Sequence, residues 1–112
     1  MPLRPEATLD AAQRIGEGRL PGLLGFEVSA LAENRLAARL AIRPELLAPN
    51  GYLHAATVVA LADTACGYGC RAHLPEGAEG FTTIELKANF LGTAREGVIE
   101  CVATAAHLGS TT

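Results

Sequence analysis

The sequence predicts an α+β fold in which one long helix packs against a curved antiparallel sheet. Three observations lead there. A long apolar stretch of helical period, about His54 to Ala72, stands mid-chain. Short segments of period two flank it, two before and two after. A lone helix must bury its apolar stripe, and one sheet is the available partner. The predicted order is strand, strand, helix, strand, strand. The 112 residues suit one domain, 1–112.

Each element has its own signal. Ala7 to Ile15 is helix-like, with Thr8 or Asp10 as possible caps. Gly16-Glu17-Gly18 and Pro21-Gly22 break it. Leu23 to Leu31 is expected as a strand, with Phe26 and Val28 alternating against polar or small neighbours. Ala32-Glu33-Asn34 is turn material. Arg35 to Ile42 alternates with Leu36, Ala38, Leu40 and Ile42 on one face, which completes a hairpin. Pro44 to Gly51 is a loop closed by the strong turn signal Asn50-Gly51. In the helix, Val58, Leu61, Ala62, Ala65, Cys66 and Gly69 recur at helical spacing as a buried stripe. Gly67 and Gly69 are poor helix formers, so a second backbone is expected close by. Phe81 to Leu91 is the longest strand candidate, and Val98 to His107 is another.

Composition excludes several classes. Nine Lys and Arg against 12 Asp and Glu give a net charge of −3, and no basic stripe runs along the chain. No nucleic-acid partner is expected. No apolar run reaches membrane-span length, and Met1 to Arg14 is not a signal peptide. Three cysteines without a secretory segment imply reduced thiols and a cytoplasmic location. Cys66, Cys70 and His73 form Cys-x3-Cys-x2-His, which lacks the usual paired zinc spacing, so no metal is expected. Aromatics are scarce and the core must be small, which favours an oligomer.

Chemistry points to one place. Asp63 is a carboxylate inside an apolar helix, and such a group costs stability unless something compensates. Apolar shielding helps a carboxylate bind a proton, which suits a general base. His54, Ala55 and Ala56 stand at the helix start, where backbone N–H groups are unpaired and the dipole favours negative charge. Eight residues separate Ala55 from Asp63, roughly 12 Å at ~1.5 Å per residue. One carbonyl cannot easily meet both on a single helix. Two helices lying antiparallel across a two-fold axis could bring them together.

The residues themselves carry a resemblance. Asn50-Gly51-Tyr52-Leu53-His54-Ala55-Ala56, Leu61-Ala62-Asp63-Thr64-Ala65 and Phe81-Thr82-Thr83-Ile84-Glu85-Leu86-Lys87-Ala88-Asn89-Phe90-Leu91 resemble the hotdog-fold acyl-CoA thioesterases, most closely the phenylacetate-degradation (PaaI-type), 4-hydroxybenzoyl-CoA thioesterase-like family. Gly97 and His107-Leu108-Gly109 are similar to its next strand. The resemblance runs from about Phe26 to Gly109. It departs where paired glycines follow the histidine, here Ala55 and Ala56. Members also usually continue with one or two more strands, so a domain lacking its last strand is expected.

The resemblance implies a set of roles. Asp63 would be general base or nucleophile in hydrolysis of an acyl-CoA or aryl-CoA to free acid and CoA. The Ala55 and Ala56 amides would form the oxyanion hole. His54 would orient the thioester, although a histidine at a helix start can equally cap it or hold the loop, and Thr64 would hydrogen-bond the carboxylate or the water, although it can equally bond back to its own turn. Asn50 and Thr83 would contact substrate, although Asn50 can equally hold its turn. Arg71 and Lys87 are candidates to meet the CoA phosphates. No cofactor is implied, CoA being part of substrate and product. The expected assembly is a homodimer with its active sites at the interface, pairing into a dimer-of-dimers tetramer. Two alternatives stay open on the same fold: a non-catalytic acyl-CoA-binding protein and, less well matched, a hydratase or dehydratase.

Overall fold

A computed structural model of the chain describes residues 2–109 and 112; Met1, Ser110 and Thr111 lie outside the described residues. The elements in chain order are α1 (Leu9–Ile15), α2 (Leu20–Leu24), β1 (Glu27–Ala32), β2 (Arg35–Ala41), a 3-10 turn (Pro44–Leu46), α3 (Ala55–Ala72) and β3 (Val98–Thr104). The sheet is antiparallel with the order β1-β2-β3.

Thr8 caps α1, its hydroxyl accepting from the Ala11 N–H at 3.1 Å. Gln13 then reaches β1. Its Nε2 donates to the Phe26 carbonyl at 3.0 Å, and its Oε1 accepts from the Val28 N–H at 2.7 Å. The side-chain amide thus stands in for a neighbouring strand at the outer edge of β1.

The strand expected over Leu23 to Leu31 begins only at Glu27. Its first residues belong to α2 instead. Pro21 sits in the first turn of that helix, where its fixed φ is already helical. Gly25 ends it at φ 83°, a conformation that suits glycine. Apolar alternation could not separate one helical turn from the start of a strand.

The hairpin forms as expected, with Asn34 at φ 61° in its turn. Leu31 faces Leu36 and Val28 faces Ala38, and one extra residue bulges from β1 between Val28 and Ala30. β2 is central, pairing with β3 from Arg35 opposite Thr104 to Ala41 opposite Val98. Leu36, Ala38 and Leu40 are buried while Arg35, Arg39 and Ala41 are exposed. Leu36 and Leu40 meet Phe26, Leu53, Leu61 and Ala65 in one core. Each fully buried leucine contributes about 1.5–3 kcal/mol relative to leaving it in water.

α3 buries Thr57, Leu61, Ala65 and Ala72 on the face turned to the sheet. Cys66, expected in this stripe, is exposed, and Val58, Ala62 and Gly69 are only half-buried. One sheet covers one face of the helix, and Cys66 lies about 100° around from Ala65. Gly67 is explained by a side chain rather than a backbone. A Cβ there would stand 2.9 Å from the Phe81 ring.

His73 follows the end of α3 and is buried. Its Nδ1 lies 2.7 Å from the Gly69 carbonyl, and its Nε2 accepts from the Asn34 N–H at 2.8 Å. The ring therefore ties the helix end to the hairpin turn, with its proton assigned to Nδ1. Leaving such buried partners unpaired costs about 1–3 kcal/mol. Both ring nitrogens are engaged, so His73 offers no lone pair to a metal beside Cys66 and Cys70.

The strand expected over Phe81 to Leu91 is corrected. Among the described residues this segment makes no ladder hydrogen bonds and belongs to no strand. It runs past α3 with its apolar residues uncovered, Ile84 80% and Leu91 97% exposed. The pattern reports a preference for a sheet, but a strand also needs a neighbour. β3 ends at Thr104, three residues short of its expected end. Among the described residues, no helix is long and apolar enough to cross a membrane.

Candidate active site

The start of α3 is built by local backbone chemistry. The loop before it folds back, with Leu47 bridging to Leu53 and the Ala48 N–H donating to the Tyr52 carbonyl at 2.7 Å. Asn50 holds this turn, its Oδ1 accepting from the Tyr52 N–H at 3.1 Å. Leu53 is buried and anchors the loop, while His54, Ala55 and Ala56 stay exposed. Thr57 is buried one residue on, its hydroxyl donating to the Leu46 carbonyl at 2.9 Å. The helix N-terminus is thus fixed from beneath and open above.

His54 is the N-cap of α3. Its Nδ1 accepts from the Ala56 N–H at 2.9 Å. Among the described residues, nothing accepts from the Ala55 N–H. Of the two amides the sequence singles out, one is open and one is held by the histidine ring. Ala55 and Ala56 are both exposed.

Asp63 lies two turns further on, roughly 12 Å along the helix. It is half-buried and faces a groove of about 1100 Å³ between α3 and the 80–90 segment. Val58, Val59, Ala62, Phe81 and Leu86 supply much of its apolar wall. Thr83 donates its hydroxyl to Asp63 Oδ1 at 3.0 Å. Asp63 joins none of the ion pairs among the described residues. One carboxylate oxygen is therefore oriented by Thr83, and the other accepts no hydrogen bond among the described residues. Cys66 lines the same groove. Desolvation first, and the Asp63 carboxylate second, push its thiol up. It stays protonated at neutral pH and is no thiolate nucleophile.

The other expected residues are spread out. Thr64 is half-buried and does not line the groove. Lys87 does line it, but its Nζ is turned to Asn89 Oδ1 at 2.6 Å. Arg71 lies in the last turn of α3, beside a separate hollow of about 350 Å³ that Arg4, Tyr68 and Glu79 also line. Asp63 and Thr83 are brought together, as are His54 and Ala56, and the two pairs remain apart.

A comparison with family models decides the assignment. Residues 50–112 match the thioesterase superfamily model. This chain belongs to the thioesterase superfamily. It is 32% identical over 106 residues to the 1,4-dihydroxy-2-naphthoyl-CoA hydrolase of Escherichia coli strain K12, covering 92% of this chain and 75% of that one. A hydrolase of the same name from Listeria monocytogenes is 28% identical over 89 residues, covering 80% and 72%. A mutant thioesterase from Pseudomonas aeruginosa superposes with a TM-score of 0.89 at 26% identity, over 97% of this chain and 78% of that one. A thioesterase from Haemophilus influenzae gives 0.88 at 28% identity, over 97% and 76%.

The fold is accordingly the hotdog thioesterase fold, α+β, and the enzyme is a thioester hydrolase. Residues of this thioesterase that the sequence reading missed lie beside the helix start. The Leu53 N–H donates to the Ala94 carbonyl at 2.7 Å, and the Arg95 guanidinium stacks 4.1 Å over the Tyr52 ring. These contacts join positions some forty residues apart, and no local motif announces them.

Proposed function

We propose that this thioesterase hydrolyses an acyl- or aryl-CoA, with Asp63 as general base or nucleophile and the start of α3 as oxyanion hole. The observation that carries the reading is the Asp63–Thr83 pair in a large apolar groove. A half-buried carboxylate with one oxygen bonded by Thr83 stands where the other can accept a proton from water. The water oxygen attacks the thioester carbonyl carbon as Asp63 takes its proton. The tetrahedral intermediate then collapses, the C–S bond breaks, and the departing sulfur takes the proton held by Asp63. In the nucleophile variant, an Asp63 oxygen attacks the carbonyl carbon and the C–S bond breaks, releasing CoA and leaving a mixed anhydride, which water then hydrolyses to the free acid and Asp63.

The carbonyl oxygen is received by the Ala55 N–H, and by the Ala56 N–H once the His54 ring turns from it to the substrate. Helix N-terminal donors stabilise a developing oxyanion strongly. The roughly 12 Å between Ala55 and Asp63 is closed by a second subunit, which lays its Asp63 beside this Ala55. The uncovered apolar residues of Phe81 to Leu91 support that interface, pairing the segment with its two-fold copy. The reading keeps the dimer-of-dimers assembly, the cytoplasmic location and the absence of a cofactor. The Escherichia coli relative acts on 1,4-dihydroxy-2-naphthoyl-CoA, which supports a CoA thioester as substrate.

The test is CoA release from a panel of acyl- and aryl-CoAs, read with a thiol reagent. Turnover of at least one thioester, with free acid as co-product, is the expected result. Tight CoA binding without release from any substrate would favour the non-catalytic alternative.

A further inference from the structure

We propose that Arg95, stacked on Tyr52, is the positioning residue that receives the pyrophosphate of CoA. This inference rests on the CoA-thioester reading above. Four observations carry it. The Arg95 guanidinium lies 4.1 Å from the Tyr52 ring centroid, a cation–π distance. Arg95 is exposed and takes no part in the ion pairs among the described residues. Its turn is fastened on both sides, the Leu53 N–H donating to Ala94 at 2.7 Å and the Ile42 N–H donating to Gly97 at 2.8 Å. Tyr52 is held as well, its N–H by Asn50 and its carbonyl by the Ala48 N–H.

A flexible surface arginine is thereby held in one place, at the rim of the helix start. Stacking occupies the guanidinium face and leaves its N–H edge to grip a phosphate bidentately. The distances agree. Tyr52 stands three residues before Ala55, at most ~11 Å along extended chain. The pantetheine arm places about thirteen bonds between the thioester sulfur and the first phosphorus, which spans roughly 15 Å at the reach of extended backbone. For a thioester carbonyl at the Ala55 N–H, Arg95 therefore lies within reach of the pyrophosphate. Arg71 of the same chain lies roughly 24 Å along α3 from Ala55. Lys87 is turned onto Asn89.

The experiment compares wild type with Arg95→Ala, Arg95→Lys and Tyr52→Phe. Calorimetry gives affinities for CoA and dephospho-CoA, and kinetics give KM for an acyl-CoA and the matching acyl-pantetheine. Arg95→Ala is expected to weaken both nucleotides and raise KM for acyl-CoA by about tenfold or more. KM for acyl-pantetheine stays unchanged. Arg95→Lys recovers part of the loss, and Tyr52→Phe, which keeps a ring for the guanidinium to stack on, loses less affinity for both nucleotides than Arg95→Ala does. Unchanged CoA affinity in Arg95→Ala overturns the proposal. So does an equal loss for acyl-pantetheine, which would mark a structural role, or a loss for CoA that spares dephospho-CoA. If CoA binds in an Arg95-dependent way while no thioester is cleaved, the hydrolase reading fails and this inference stands.

Discussion

Asp63→Asn is expected to lower CoA release by about a hundredfold to ten-thousandfold, the range general-base catalysis supplies. The substitution keeps the size of the side chain. It also keeps an oxygen able to accept from Thr83, whose hydroxyl now lies 3.0 Å from Oδ1. What it removes is the negative charge and the basic lone pair. Asp63 supports no ion pair among the described residues, so folding is expected to survive the change. The loss should therefore fall on kcat, with thermal unfolding close to wild type. Equal rates for the two proteins would remove Asp63 from the mechanism. Thr83→Val should show a smaller loss of the same kind, because it leaves the base in place but no longer orients it.

Ala55→Pro is expected to cost about 10²–10³ in kcat, as removal of one oxyanion donor does. Ala55 is the first helical residue after the His54 cap. Proline is well tolerated at that position because its missing N–H has no helical partner. His54 has φ −68° and ψ 135°, which suits a residue before proline. The substitution thus deletes one donor and leaves the helix standing. Unchanged kcat, with thermal unfolding like wild type, would exclude the Ala55 amide from the site. The neighbouring Ala56 amide is a poorer probe. It is bonded to the His54 ring, so its loss would also disturb the cap.

Much of this was legible in the sequence because the signals were local. The helix boundaries came from apolar period, and His54 sat at the start because a side-chain acceptor precedes the first turn. The inward face of β2 followed from alternation at Leu36, Ala38 and Leu40. Asp63 stands out as a charge in an apolar stripe, while Thr83, expected only as a substrate contact, bonds its carboxylate. The failures share a cause. Phe81 to Leu91 reads as a strand because its residues prefer a sheet, yet preference supplies no partner. Leu20 to Leu24 makes one helical turn, too short for periodicity to detect. Cys66 shares helical spacing with buried residues but lies at the rim of the face the sheet covers. The contacts of Gln13, His73 and Arg95 cross the chain, and only the fold brings them into register with Phe26, Asn34 and Tyr52.

The central claim is that each active site takes its oxyanion donors from one subunit and its carboxylate from the other. Co-expression of Asp63→Asn with Ala55→Pro tests it directly. Each variant alone is nearly inactive. In a mixed dimer, one site combines the intact Ala55 of the first variant with the intact Asp63 of the second, and the other site carries both lesions. With random pairing, half the dimers are mixed and one of their two sites is whole. CoA release should then return to about a quarter of the wild-type rate. A mixture no more active than the sum of the two separate variants, in a preparation shown to contain mixed dimers, would contradict the shared site.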